Sequence, residues 1–366
     1  MEIVINKILL DDAIERVAKA IDQNPFIPAM KGIKVEVQDN KIIFIGSNGE
    51  ISVKHTVETS LDAKIITPGI FLIELSMFRN IIKKLEGDLS LKSNDKTLTI
   101  ATELDMYTLN LYDAFDYPEI DFEVFGDELK IGWEEWRNLI KNVSFAASSN
   151  ENNLTLCCVN IVAKDGVLKM LATDRFRYAE ETKNIANDAD FNVSILAKNL
   201  KDLMNFEFKK QVTIFFSEHK LAFQVDGTTI QSKVIEQPYL DVSKILPTSF
   251  ENEIIIEKRE LANLLAKASV IITDSYNKIK FNINNKVLTI SSTREQIAES
   301  VIKTTAFTYT SDEELKLTLN SKFLREAISV FEGELKISLI KGNQRIVITS
   351  ASNPNNTQLF TPQKGF

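Results

Sequence analysis

Arginines and aromatics alternate in one short stretch, "LATDRFRYAEETK", from Leu171 to Lys183. Read as a strand, it sets Arg175 and Arg177 on one face and Phe176 and Tyr178 on the other. That is either an ordinary amphipathic strand or the rim of a binding site. Groups suited to covalent chemistry are sparse. His55 and His219 fall in different segments, and His219 sits in a predicted hairpin turn, which favours solvation over catalysis. Cys157 and Cys158 are adjacent, so in a strand they face opposite sides and a disulfide between them is not expected. No spacing brings either thiol to a histidine as a nucleophile–base pair. No Cys/His cluster has zinc spacing, and no GxxxxGK[ST] or GxGxxG phosphate loop occurs. With 51 Asp and Glu, chance acid pairs abound; those at Asp11 and Glu134 fall near predicted helix N-termini, where they complement the dipole. The chemistry expected is binding rather than catalysis, without metal or cofactor.

The elements that must position this stretch are repeated. Helix signals recur at "INKILLDDAIERVAKAI", "IGWEEWRNLIKNVSF" and "IEKRELANLLAKASV". Leu10, Ala13, Ile14 and Val17 form an i, i+3, i+4, i+7 stripe. Trp136, Leu139, Ile140 and Val143 repeat it, as do Leu261, Leu264, Leu265 and Ala268. Short alternating strands, "EIVIN", "ELKIG" and "EIIIE", precede these helices, and hairpin signals follow with turns at Asp39-Asn40, Asp165-Gly166 and Asn284-Asn285. The plan then recurs within each unit. Helix signals at "GIFLIELSMFRNIIKK", "AKNLKDLMNFEFKK" and "NSKFLREAISVF" lead into hairpins turning at Asp95, His219 and Asn343. Six strand–helix–hairpin half-units thus pair into three domains, an α+β plan, over 1–123, 124–248 and 249–366. The linkers "AFDYPEIDFEVFGD" and "EQPYLDVSKILPTSFEN" separate them.

A chain of 366 residues with 44% apolar content has ample core for such domains. Its apolar runs are too short to span a membrane, and "MEIVINKILLDD" is no export signal, so a reducing cytoplasmic setting is expected. The net charge of −8 argues against a simple nucleic-acid binder unless the basic residues are segregated. They are. The six predicted helices carry 17 Lys and Arg against 11 Asp and Glu, which leaves −14 elsewhere. Arg79, Lys83, Arg137, Lys141, Lys198, Lys201, Lys322 and Arg325 carry much of that helical charge. A basic helical layer in an acidic body suits sequence-independent phosphate contact.

Three tandem units of this plan, with "LATDRFRYA" in the middle one, resemble the bacterial sliding clamp family, the beta subunits of DNA polymerase III. Ala172, Thr173, Asp174, Arg177 and Ala179 match the family motif, with Arg175 in place of its usual glycine. "IPAMKGIKVEV", "YPEIDF" and "YLDVSKILP" resemble further family segments. The resemblance implies a DNA clamp fold: three tandem two-helix, two-sheet domains, closed head to tail as a homodimeric ring. Twelve helices at ~10 Å spacing give a ring ~38 Å across the helix axes and ~28 Å clear, which passes a duplex of roughly 20 Å. Retention would then be topological, which reconciles DNA binding with the acidic charge. The implied function is a polymerase processivity factor. Its partners would be encircled double-stranded DNA, the replicative polymerase alpha subunit, the clamp loader and other proteins with clamp-binding motifs, with no membrane.

In the family the middle-unit loop borders a peptide-binding pocket. Carried over, its walls are Leu156, Thr173, Arg175, Phe176, Arg177, Tyr178, Leu240, Lys244 and Ile245, with Leu359, Phe360, Thr361, Pro362 and Gln363 from the tail. Such walls suit a short peptide with aromatic or leucine anchors and a glutamine. This chain departs from the family at Arg175, at Leu240 (a family proline, with Pro238 displaced) and in the tail, "LFTPQKGF". Arg175 is expected to narrow or recharge the pocket. Phe176→Ala, or removal of 359–366, is expected to abolish peptide binding and leave the dimer intact. The alternative is a three-repeat peptide-binding scaffold without DNA encirclement, favoured if the basic residues prove scattered.

Overall fold

The computed structural model describes residues 1–366 apart from 209–210, 243, 274–276, 341, 343 and 365–366. The expected turn at Asn343 lies outside the described residues. The first repeat runs β1 (Glu2–Asn6), α1 (Lys7–Ala18), β2 (Gly32–Val37), β3 (Lys41–Ser47), β4 (Ile51–Glu58), β5 (Ala63–Thr67), β6 (Gly69–Glu74), α2 (Leu75–Ile82), β7 (Asp88–Ser93), β8 (Thr97–Ala101) and β9 (Met106–Asn110). The second runs β10 (Asp127–Gly132), α3 (Trp133–Ser144), β11 (Cys158–Lys164), β12 (Val167–Thr173), β13 (Arg177–Asn184), β14 (Phe191–Leu196), α4 (Ala197–Leu203), β15 (Gln211–Phe216), β16 (Lys220–Val225) and β17 (Thr228–Lys233). The third runs β18 (Asn252–Glu257), α5 (Lys258–Ala268), β19 (Lys278–Asn284), β20 (Val287–Arg294), β21 (Ala298–Thr304), β22 (Phe307–Tyr309), β23 (Leu315–Asn320), α6 (Ser321–Ser329), β24 (Glu334–Leu339), β25 (Ile346–Thr349) and β26 (Asn356–Phe360).

All three predicted apolar stripes are buried, and they anchor α1, α3 and α5. Asn6 caps α1 through Oδ1, which accepts the Ile8 N–H at 3.0 Å. Two expectations are corrected. The helix predicted from Gly69 begins only at Leu75. Phe71, Leu72 and Ile73 are all buried in β6, and Glu74 caps the helix by accepting the Met77 N–H at 2.7 Å. Each half-unit also carries a third strand after its hairpin, namely β4, β9, β13, β17, β21 and β26. β17 shows why these escaped a search for alternation: its first five residues, "TTIQS", are all buried, so no in–out period marks it.

Two compact units form. Met1–Trp136 with Asn199–Val234 makes the first, and Arg137–Lys198 with Ile235–Phe366 the second. The first holds a five-stranded sheet, β5-β1-β7-β8-β9, and an eight-stranded sheet, β10-β15-β16-β17-β4-β3-β2-β6. The second holds a nine-stranded sheet, β14-β11-β12-β13-β26-β25-β24-β18-β22, and a four-stranded sheet, β21-β20-β19-β23. Strands from different repeats therefore join twice, as β17 on β4 in the first unit and β13 on β26 in the second. Among the described residues no helix is long and apolar enough to cross a membrane.

His55 lies in the β17–β4 join. Its Nδ1 is 2.8 Å from the Thr228 hydroxyl, and burial, then the Arg16 charge, hold its pKa down from 6.5 to about 4. The unfolded ring gains its proton near pH 6.5 and the folded one only near 4. Acid in that window therefore favours unfolding, and the stability is fully present above pH 6.5. The loss by pH 4 reaches about 3 kcal/mol. His55→Gln should flatten this part of the stability–pH curve in urea unfolding; an unchanged slope would contradict it.

Candidate peptide-binding site

The Thr173–Tyr178 stretch is not one continuous strand. β12 ends at Thr173, β13 begins at Arg177, and Thr173 pairs with Tyr178 across a tight loop. Asp174 Oδ1 accepts the N–H groups of Phe176 at 2.9 Å and Arg177 at 3.0 Å. The Thr173 hydroxyl donates to the Arg177 carbonyl at 2.6 Å and accepts the Arg175 N–H at 3.1 Å. Arg175 takes φ +77°, the left-handed conformation. The expected alternation of Arg175 with Arg177 fails because the chain reverses between them.

The first repeat builds the same turn. Asn48 Oδ1 accepts from Glu50 and Ile51 at 3.0 and 2.8 Å, Ser47 Oγ donates to the Ile51 carbonyl at 3.0 Å, and Gly49 has φ +92°. The turn thus belongs to the repeat, and Arg175 occupies a glycine's backbone place. Its side chain is exposed. It recharges the rim rather than filling the site. Arg175→Gly should leave stability within about 1 kcal/mol, because relief of left-handed strain offsets the added chain entropy. Arg175→Val, β-branched, should lose about 1–2 kcal/mol in urea unfolding; equal stabilities would contradict the assignment of strain.

Beneath the turn lies an apolar cluster of Leu171, Tyr178, Val347 and Leu359, with Tyr239, Val242, Ile245 and Leu246 of the linker packed against it. In the repeat register the four buried members correspond to Ile45, Ser52, Ala222 and Gln231 of the first unit, a smaller and more polar set. Only the second unit places four large apolar side chains there. The linker is fixed by two hydrogen bonds. The Thr173 N–H reaches the Tyr239 hydroxyl at 3.2 Å, and Arg345 donates to the Ile245 carbonyl at 2.9 Å. Burial, before the neighbouring Glu180, drives the Tyr178 phenol far above its ordinary pKa, so it stays neutral and donates to that carboxylate. The tail crosses the turn, where the Thr361 N–H and hydroxyl both reach the Phe176 carbonyl, at 2.9 and 3.2 Å.

The expected residues therefore divide. Thr173, Tyr178, Ile245, Leu359 and Thr361 converge. Phe176 projects from the turn, 64% exposed. Leu359 and Phe360 belong to β26 and are buried, so they are strand core rather than free tail. Pro362 and Gln363 follow Thr361 half-buried, and Gln363 Oε1 is buried with no hydrogen-bond partner among the described residues. Leu240 is half-buried and Lys244 exposed, neither in the cluster, and Leu156 is buried in a 3₁₀ turn before β11, also outside it. Sequence reading missed Leu171, Val347, Tyr239, Val242 and Leu246. Three of them stand inside "YLDVSKILP", and Leu171 is two residues before Thr173, on the same strand face.

The Arg177 side chain is engaged within the fold. Its Nε donates to Asp174 at 2.9 Å, its Nη1 pairs with Glu326 on α6, and its guanidinium lies 4.4 Å over the Phe323 ring. It positions the turn. Neither thiol acts as a nucleophile: Cys157 and Cys158 are buried and free, and burial pushes Cys158 up to about 12.

The helical cations are placed unit by unit. In the first, Arg79 donates to Glu15 at 2.6 Å and Lys83 approaches the same carboxylate at 2.9 Å. The Arg79 hydrogen bond is the largest cause holding the Glu15 pKa below its ordinary value. Lys201 is exposed on α4. In the second, Lys141, Lys198, Lys322 and Arg325 are exposed and Arg137 is half-buried. Lys322 and Arg325 share a face of α6 opposite buried Leu324, Ala327 and Ile328.

The chain matches family models for the DNA polymerase III beta subunit over its N-terminal domain at residues 1–121, central domain at 130–241 and C-terminal domain at 243–364. It is 33% identical over 361 residues to the beta sliding clamp of Mycoplasmopsis pulmonis, covering 96% of each chain. The DNA polymerase sliding clamp of Bacillus subtilis superposes with a TM-score of 0.91 at 25% identity over all of both chains. The DNA polymerase III beta chain of Streptococcus pneumoniae does so at 0.92 and 23% identity, again over all of both, a likeness of fold.

Proposed function

Because this chain belongs to the DNA polymerase III beta subunit family, the sliding clamps, we propose that two copies close head to tail into a ring around duplex DNA. It is a non-enzymatic processivity factor for DNA polymerase III. One observation supports ring closure. In the repeat register β9, β17 and β26 correspond, as do β4, β13 and β21. β17 pairs with β4 and β13 with β26, which leaves β9 and β21 as sheet edges. The third pair is therefore left for two chains to make, β9 of one on β21 of the other. The completed joins fix its register. Ile230 opposite Val53 and Gln358 opposite Ala179 set Tyr107 opposite Ser300. The four paired residues are at most 1% exposed, whereas Tyr107 is 41% exposed and Ser300 half-buried in the single chain. Sedimentation should return twice the 41.4 kDa chain mass; a monomer at micromolar concentration would overturn the reading.

Three clamp domains at 1–123, 124–248 and 249–366 would then put two basic helices each toward the DNA. Lys141, Lys198, Lys201, Lys322 and Arg325 would make loose phosphate contacts, with Arg137 beside them. Arg79 and Lys83 share Glu15, so together they offer one net charge rather than two. The ring works in the cytoplasm. A clamp loader opens it, and the polymerase alpha subunit and other clamp-binding proteins dock peptides at the Phe176 rim and the Leu171–Tyr178–Val347–Leu359 cluster. Gln363 Oε1 offers an acceptor to an incoming N–H.

Phe176→Ala should weaken a fluorescent clamp-binding peptide at least tenfold and leave mass and folding unchanged. Removal of 361–366 should do the same, while removal of 359–366 takes two β26 core residues and should unfold the chain. This replaces the sequence-based expectation that removal of 359–366 leaves the dimer intact. Undiminished binding after either mild change would displace the pocket.

A further inference from the structure

We propose that the peptide site selects segments carrying an acidic side chain beside their apolar anchors, with Arg175 reading that acid; this rests on the peptide-docking reading and goes beyond it. Three elements frame the site, and each brings a cation to the rim. The turn carries Arg175, the linker Lys244 and the tail Lys364, all three exposed. The elements are tied to one another. The Thr173 N–H reaches the Tyr239 hydroxyl of the linker, and the Thr361 N–H of the tail reaches the Phe176 carbonyl of the turn. None of the three cations makes an ion pair among the described residues. The nearby acids are largely committed. Asp174 and Glu326 both pair with Arg177, and Glu180 accepts from Tyr178 and lies 3.3 Å from Lys169. Asp241 is the only acid between Tyr239 and Leu246, and no side chain of 356–366 is acidic. The rim therefore keeps an excess of positive charge around an apolar cluster.

The first repeat shows that the fold itself does not require this charge. Its matching turn has the same backbone, with Gly49 at φ +92° where Arg175 takes φ +77°. Glu50 follows in the place of Phe176, and its carbonyl accepts the Lys233 N–H at 3.0 Å, as the Phe176 carbonyl accepts that of Thr361. The Glu50 carboxylate also lies 3.9 Å from the Lys233 ammonium, so charge on that rim is met within the chain. In the second repeat a left-handed position that favours glycine holds an arginine instead, and its guanidinium pairs with no acid among the described residues. Strain of that kind points to a use for the side chain. Arg175 stands next to Phe176, so the acid it reads is the one beside the anchor that meets Phe176. A carboxylate there accepts paired N–H groups from the guanidinium, and Lys244 and Lys364 add attraction at longer range. The pair stays in water, so it contributes selectivity rather than the bulk of the affinity.

Two peptides with the same apolar anchors, one flanked by aspartate and one by asparagine, test this by titration on the full-length chain. The wild type should bind the aspartate peptide about fivefold more tightly at low salt, and added salt should shrink that ratio. The ratio should fall to about one in Arg175→Gly, which suits the backbone of the turn, and should survive in Arg175→Lys. Arg175→Glu should invert it and favour a lysine-flanked peptide. Equal binding of the two peptides by the wild type, or a ratio that Arg175→Gly and Arg175→Glu leave unmoved, would overturn the assignment to Arg175 and keep the peptide site. Weaker retention of Arg175→Gly on DNA, with the peptide ratio unmoved, would make Arg175 a phosphate contact instead. A wild type that binds neither peptide would overturn the peptide site and this selectivity together.

Discussion

Tyr107→Asp should turn the ring into monomers without unfolding the chain. Tyr107 is 41% exposed in the single chain, so its own unit loses little. In the proposed seam it faces Ser300, where the corresponding residues of the intrachain joins are fully enclosed. Removing a buried aromatic ring forfeits about 1.5–3 kcal/mol of burial. Placing a carboxylate there without a partner costs at least about 2 kcal/mol more. A loss of at least about 3 kcal/mol per seam is roughly a hundredfold, and two seams compound it to about ten-thousandfold. Sedimentation at concentrations that hold the wild type dimeric reads this directly. A dimer of undiminished affinity would contradict the strand register and leave some other surface to close the ring.

Arg177→Ala should have the largest effect within a single chain. The Arg177 side chain is 11% exposed, with Asp174 at 13% and Glu326 at 29%. Its removal leaves two partly buried carboxylates facing each other, at a cost of about 3–5 kcal/mol. Asp174 also holds the turn through the Phe176 and Arg177 N–H groups. Peptide binding should therefore fall with stability. Arg177→Lys restores a charge but neither the two-sided contact nor the stacking on Phe323, so its loss should be intermediate. Urea unfolding and peptide titration on the three proteins check the order. If Arg177→Ala kept full stability and lost only peptide affinity, Arg177 would contact the ligand rather than position the turn.

The repeats and the helix stripes were legible because burial against one sheet imposes a 3.6-residue period, as at Leu10, Ala13, Ile14 and Val17. Third strands such as β17 were not, because strands buried on both faces lose the two-residue period. The helix from Gly69 was misplaced for a related reason: "IFLI" is apolar throughout, and length alone does not separate a buried strand from a helix turn. At the site, Thr173, Asp174 and Tyr178 stood out in one stretch. Glu326 and Val347 did not, since they reach Arg177 and Tyr178 from well over a hundred residues away and bear no local signature. The two carboxylates that Arg177 bridges were not legible, because its type suits a ligand as well as it suits them. Ring closure became visible only with the strand register, which shows two joins made and a third left open.

The central claim is that the protein holds DNA by encircling it. It is tested most directly by loading the protein on nicked circular DNA with a clamp loader and ATP, then cutting the circle at moderate salt. Topological linkage requires that bound protein be retained on the circle and lost when the DNA is linearised. Equal retention on circle and line would mean phosphate or groove binding, and would contradict the ring.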